Sequence, residues 1–179
     1  MDAMRARASF VLLLALLAGA CQRIDVGQIG NGGPGGSGDR RGGEDEEDDD
    51  GSPEHRPGQR CFDCHSEESH RAGPIFVLAG TVYARASDPV GAQGASVHVV
   101  DAARHEFDLG TYPGGNFMVG ADQLPWALVF PLTVDITLAD GTMRAMRSRI
   151  QREGSCAGCH SFAGADETHV ERIWVVEEP

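Results

Sequence analysis

The sequence predicts a mostly β protein, a small antiparallel β-sandwich of about six or seven strands flanked by two cysteine-bearing segments. Three observations lead there. Apolar residues recur at every second position and not with helical spacing. An Asp140-Gly141 pair between two such runs reads as a tight hairpin turn. The chain has 179 residues, and once a leader and a spacer are set aside only one modest domain can be built.

Taken from the start, Arg5 and Arg7 precede an unbroken apolar run from Phe10 to Ala18. That run is too short to span a bilayer and has the basic-then-apolar order of an export signal, so residues 1–20 are expected to be a signal peptide. The run closes on Leu17-Ala18-Gly19-Ala20-Cys21, which resembles the lipobox of bacterial lipoproteins. That resemblance implies acylation of Cys21 and a membrane anchor. The alternative is an ordinary signal peptide that leaves Cys21 as an odd thiol. With Gln22 next, and not Asp, the resemblance implies sorting to the outer membrane, with the protein facing the periplasm or the exterior.

Residues 21–60 are rich in Gly, Pro, Ser and charge and offer almost nothing to bury, so they are expected to be a disordered tether. The acidic run Glu44 to Asp50 reads as a self-repelling spacer in preference to a cation site. A flexible segment of this length reaches about 35 Å.

The folded part, residues 61–179, is expected to begin at Cys61. Alternation runs through Phe76, Leu78, Gly80 and Val82, then Ala95, Val97 and Val99, then Phe107, Leu109 and Thr111. It resumes at Leu132, Val134, Ile136 and Leu138, crosses the Asp140-Gly141 turn into Thr142 to Arg147, and leaves a last strand at Arg172 to Val176. Within this stretch Ala79-Gly80-Thr81-Val82-Tyr83, Gly94-Ala95-Ser96-Val97-His98-Val99-Val100-Asp101 and Gly115-Asn116-Phe117 together resemble the carboxypeptidase-regulatory type of β-sandwich over residues 75–150. The hairpin after Asp101 departs from that family, having Ala102-Ala103-Arg104-His105 where Gly or Asn is usual. Domains of this type have no catalytic residues of their own, so the resemblance implies a scaffold.

Chemistry is concentrated in Cys61-Phe62-Asp63-Cys64-His65 and Cys156-Ala157-Gly158-Cys159-His160. Each is a complete Cys-x-x-Cys-His motif, the attachment signature of c-type haem. Two thiols three residues apart on one turn can each add to a haem vinyl group, and the following imidazole then lies beneath the iron. The doubled motif on an exported chain resembles a dihaem c-type cytochrome. That implies two covalently bound haems, Cys61, Cys64, Cys156 and Cys159 as attachment points, and His65 and His160 as iron ligands. Zinc held by the same four cysteines, structural disulfides and a thiol redox pair are the alternatives, and none of them requires a histidine after each pair.

For the sixth iron ligands, His70 and His169 are the expected residues, because each follows a motif in a segment without strand alternation. Five residues from His65 to His70 extend at most about 17 Å, so His70 is expected to reach the neighbouring haem; the nine from His160 to His169 allow about 30 Å. His55, in the tether, and His98, beside Val97 and Val99, are expected on solvated faces. His105 and Met118 are further candidates. Met143 and Met146 sit on one strand with opposite facing, with core packing as the default for the inward one. Arg144, Arg147, Arg149 and Arg152 crowd the approach to Cys156, as partners for haem propionates or as ordinary surface charge.

The formal charge is −12, which makes nucleic acid an improbable partner and favours a redox protein that presents a positive patch. The functional expectation is an exported electron-transfer lipoprotein that is not itself an enzyme. The rivals are a haem peroxidase or haem-based sensor with one open iron, and a non-haem adhesion or binding module whose cysteines form disulfides or hold zinc.

Overall fold

The computed structural model describes residues 23–25, 52–69, 73–161 and 170–178. They form a mostly β protein with two main sheets packed as a small sandwich. The larger sheet has the order β1-β4-β3-β6-β7, built from Arg23–Asp25 (β1), Ser96–Val100 (β3), Glu106–Gly110 (β4), Thr133–Thr137 (β6) and Met143–Ala145 (β7). The smaller has the order β10-β2-β5, from Phe76–Tyr83 (β2), Asn116–Gly120 (β5) and Ile173–Trp174 (β10). A separate parallel pair joins His160–Ser161 (β8) to Val170–Glu171 (β9).

Alternation does in the structure what the sequence requires of it. Val97 and Val99 of β3, Phe107 and Leu109 of β4, and Val134 and Ile136 of β6 are buried, while the residues between them are partly or fully exposed. Register pairs Val97 with Leu109 and Ile136, and Val99 with Phe107 and Val134, so one face of the sheet is continuously apolar. It packs with Leu78, Val82, Phe117 and Val119 of the smaller sheet in a single core. Truncating a fully buried ring there, such as Phe117, costs about 3–5 kcal/mol.

Strand β2 differs from the others in being buried at every position from Leu78 to Tyr83. The sandwich core covers one side, and both cysteine-bearing segments pack against it as well. A strand buried this completely has both neighbours and both faces occupied.

The antiparallel-rich sandwich meets the expectation, and among the described residues β1 with β4, β10 with β2, and β8 with β9 add short parallel pairs. Element bounds differ from those expected. The last strand is Ile173–Trp174 and the one after the hairpin Met143–Ala145, each shorter than expected. Inside the expected tether, residues 52–60 are described and β1 lies along β4. Residues 52–58 are held because the Asn116 side-chain amide donates to the carbonyls of Pro53 (3.1 Å) and His55 (2.9 Å). Thr81 Oγ1 completes the lock, accepting from the Gly58 amide at 2.8 Å and donating to Asn116 Oδ1 at 2.7 Å. The expected signal peptide, residues 1–20, and Cys21 lie outside the described residues.

Candidate functional site

The two cysteine motifs fold as near copies. Each is a single 3-10 turn, Cys61–Asp63 and Cys156–Gly158, entered through an extended residue and left through a right-handed helical one. Entry angles are φ −74°, ψ 100° at Arg60 and φ −79°, ψ 95° at Ser155; exit angles are φ −118°, ψ −25° at Cys64 and φ −117°, ψ −36° at Cys159. The amide of the second cysteine donates to the carbonyl of the first in both, at 3.2 Å and 3.1 Å. This turn sets both thiols of a pair on one bend and carries the chain directly into the histidine, as the spacing predicts.

Each histidine is oriented the same way, through a residue that returns to it after a short excursion. Nδ1 of His65 lies 2.9 Å from the Pro74 carbonyl, and Nδ1 of His160 lies 2.7 Å from the Glu171 carbonyl. A carbonyl oxygen only accepts, so Nδ1 carries the proton in both rings and Nε2 presents its lone pair. Neither Nε2 makes a hydrogen bond among the described residues. This is the arrangement by which proteins aim a neutral imidazole at a metal. Phe76 lies against the His65 ring, with centroids 4.6 Å apart.

Strand β2 brings the motifs together. Ala79 donates its amide to the Gly154 carbonyl at 2.9 Å and bridges to Ser155 in parallel sense. At Gly80 a side chain would meet Cβ of Cys156 at 2.8 Å and the Phe117 ring at 2.9 Å, so the absence of a Cβ is what lets the second motif sit on the strand. Arg60, just before the first motif, approaches Glu153, just before the second, at 3.8 Å. One cleft is lined by Gly58, Thr81 and Tyr83 together with Ala157, His160 and Arg172, so it joins the second motif to the approach of the first.

The leading thiols, both half-buried, are the ones whose titration the surroundings shift. Burial pushes the Cys61 thiol up to about 11, with Asp63 and Cys64 adding to the effect. Cys156 is pushed to about 12, again by burial first and then by the nearby Cys61 and Cys159. Thiols held in the neutral form are poor nucleophiles and poor redox groups, unlike the low-pKa cysteine of a thioredoxin-like pair. All four cysteines are free thiols, and among the described residues no three His, Cys, Asp or Glu side chains converge as a metal-binding group. The two cysteines and the histidine of each motif follow one another along a single turn, and Cys61 lies near enough to Cys156 to add to its shift.

Comparison with protein-family models, curated proteins and solved structures gives no match. Function is read from the two turns themselves.

Of the residues that the sequence singles out, Cys61, Cys64, His65, Cys156, Cys159 and His160 belong to two turns that both pack against β2, with Cys61 near Cys156, while His70 and His169 lie outside the described residues. Met143 is exposed and Met146 packs on the core. His98 lies half-buried on the outward face of β3, as its alternation implies, with Nδ1 3.2 Å from the carboxylate of its cross-strand partner Asp108. His105 is held by Asp101 at 3.0 Å and stacked on Trp126. Arg147, Arg149 and Arg152 are exposed, whereas Arg144 lies over the Trp174 ring at 3.4 Å. The arginine at the cleft is Arg172, which sequence order did not suggest.

His55 is the functional candidate that sequence reasoning missed. It is half-buried, its ring centroid 5.7 Å from that of His65. The composition around it gave no signal. Only its place ten residues before His65, and the Asn116 lock on its carbonyl, bring it there.

Proposed function

We propose that this chain is an exported c-type cytochrome lipoprotein that holds two haems and carries electrons. The single observation that supports it best is the doubled turn in which a Cys-x-x-Cys pair leads into a histidine tied through Nδ1 to a backbone carbonyl, leaving Nε2 to bind. The residues present fit the group. Cys61 and Cys64 would hold one haem, and Cys156 and Cys159 the other. In each attachment a thiol adds across a vinyl group, sulfur to one carbon and hydrogen to the other, with no net oxidation. His65 and His160 would each supply an iron-binding imidazole nitrogen, and the backbone carbonyls of Pro74 and Glu171, by accepting from Nδ1, would strengthen it as a donor.

When bound, the haem iron supplies the one-electron redox chemistry, and the protein supplies ligation, burial and charge. Arg172, which lines the cleft while donating to the Asp88 carbonyl and lying over the Tyr83 ring, would bring positive charge toward a propionate carboxylate. Strand β2 keeps the two attachment turns side by side, and side-by-side redox centres suit relay. Cys21 is the proposed lipid anchor, fixing the protein to the outer membrane, and a positively charged redox protein is the proposed partner.

The test is a spectroelectrochemical titration of the full chain produced in a host that attaches haem to exported proteins. Two one-electron transitions are expected, and the Cys61→Ala/Cys64→Ala double variant should keep one of them. A wild-type protein with no haem-based transition would overturn the proposal.

A further inference from the structure

We infer that His55 is the sixth iron ligand of the site built on His65, an assignment that rests on the haem reading above. Three observations point to it. The His55 and His65 rings lie 5.7 Å apart between centroids, tilted by 54°. Two metal–imidazole bonds of about 2 Å put the coordinating nitrogens about 4 Å apart and the ring centroids about 6 Å apart, so the observed separation leaves room for both rings to reach one iron. Nδ1 of His55 meets the Ser52 carbonyl, repeating at a third histidine the device that orients His65 and His160. A carbonyl partner again leaves the lone pair on Nε2, which makes no hydrogen bond among the described residues.

The backbone around His55 is fixed independently of its ring. Its carbonyl accepts from Asn116 at 2.9 Å, and that amide also binds the Pro53 carbonyl, so two buried β-strand residues, Asn116 and Thr81, set the position of the loop. An otherwise spacer-like segment is thus pinned where its one imidazole faces the motif histidine. His55 then occupies the position on the iron of His65, and His70 and His169 are left for the iron of His160.

The experiment uses the full haem-loaded chain and compares wild type, His55→Ala and His55→Met. Haem content comes from intact mass and ligation from near-infrared magnetic circular dichroism. Wild type is expected to show bis-histidine bands. His55→Ala should keep both haems by mass, lose one of the two low-spin signals, and regain it on addition of free imidazole. In His55→Met one haem should acquire histidine-methionine bands and a more positive potential, a change that a packing role would not produce. Should the alanine variant fail to fold, the methionine variant decides. Both variants retaining wild-type bands with both haems present would overturn the assignment alone, whereas a wild type without haem overturns the haem reading with it.

Discussion

At the hairpin between β3 and β4, Asp101 holds the turn together. Its carboxylate accepts from the His105 amide at 2.9 Å, from His105 Nδ1 at 3.0 Å and from the Val129 amide at 3.3 Å. Burial pushes the Asp101 carboxyl up, but the hydrogen bonds from His105 and Val129 outweigh it and leave the group below the usual carboxylate range. A carboxyl whose folded pKa is depressed contributes stability that is fully present above the unfolded value of about 3.9 and is lost as pH falls through the folded value. Acid unfolding of Asp101→Asn should therefore be less steep than that of wild type below about pH 4. Asp101→Ala strands two backbone donors and should cost about 3 kcal/mol in denaturant titration at neutral pH. Arg104 in the same turn has φ +69°, the left-handed region where this type of turn favours Gly or Asn, so Arg104→Gly should raise stability by about 0.5–1 kcal/mol. The thiols make a second residue-scale prediction. In haem-free protein Cys61 and Cys156, with pKa values pushed to about 11 and 12, should alkylate at pH 8 about 100-fold and about 1000-fold more slowly than an ordinary thiol, respectively. Equal labelling of all four cysteines at the ordinary rate would contradict the burial argument.

Among the elements, β2 organises the site, and Gly80 is its narrowest point. Gly80→Val would drive a branched side chain into Cβ of Cys156 and the Phe117 ring. Overpacking of this kind costs about 1–3 kcal/mol, and here it should also displace the second motif, so the mass of the variant should show the haem at Cys61 and Cys64 retained and the other reduced. How much of this was legible follows from the same strands. β3, β4 and β6 were visible because each is buried on one face and wet on the other, which writes period two into the chain. β5 was not, since Asn116, Phe117, Val119 and Gly120 are all buried and the alternation disappears. The 3-10 turns were legible as Cys-x-x-Cys-His, a pattern fixed by covalent spacing. The carbonyls of Pro74 and Glu171 were not, because any residue has a carbonyl and only the return of the chain selects these two. Nor was the loop at 52–58, whose anchors Thr81 and Asn116 are remote in sequence.

Across the whole molecule, a charge of −12 on a chain whose basic residues are all arginine makes long-range steering the natural route to a partner. Electron exchange with a cationic redox protein should slow as salt rises from 0.01 M to 0.15 M, where the screening length falls from about 30 Å to about 8 Å. A rate independent of ionic strength would place the contact on an uncharged face. All of this rests on two haems being fixed by Cys61, Cys64, Cys156 and Cys159. Intact mass of the denatured full chain, produced where haem attachment operates, tests that most directly: it should exceed the polypeptide by two haem groups. A chain of bare polypeptide mass, with its cysteines in disulfides or recovered with zinc, would contradict the account.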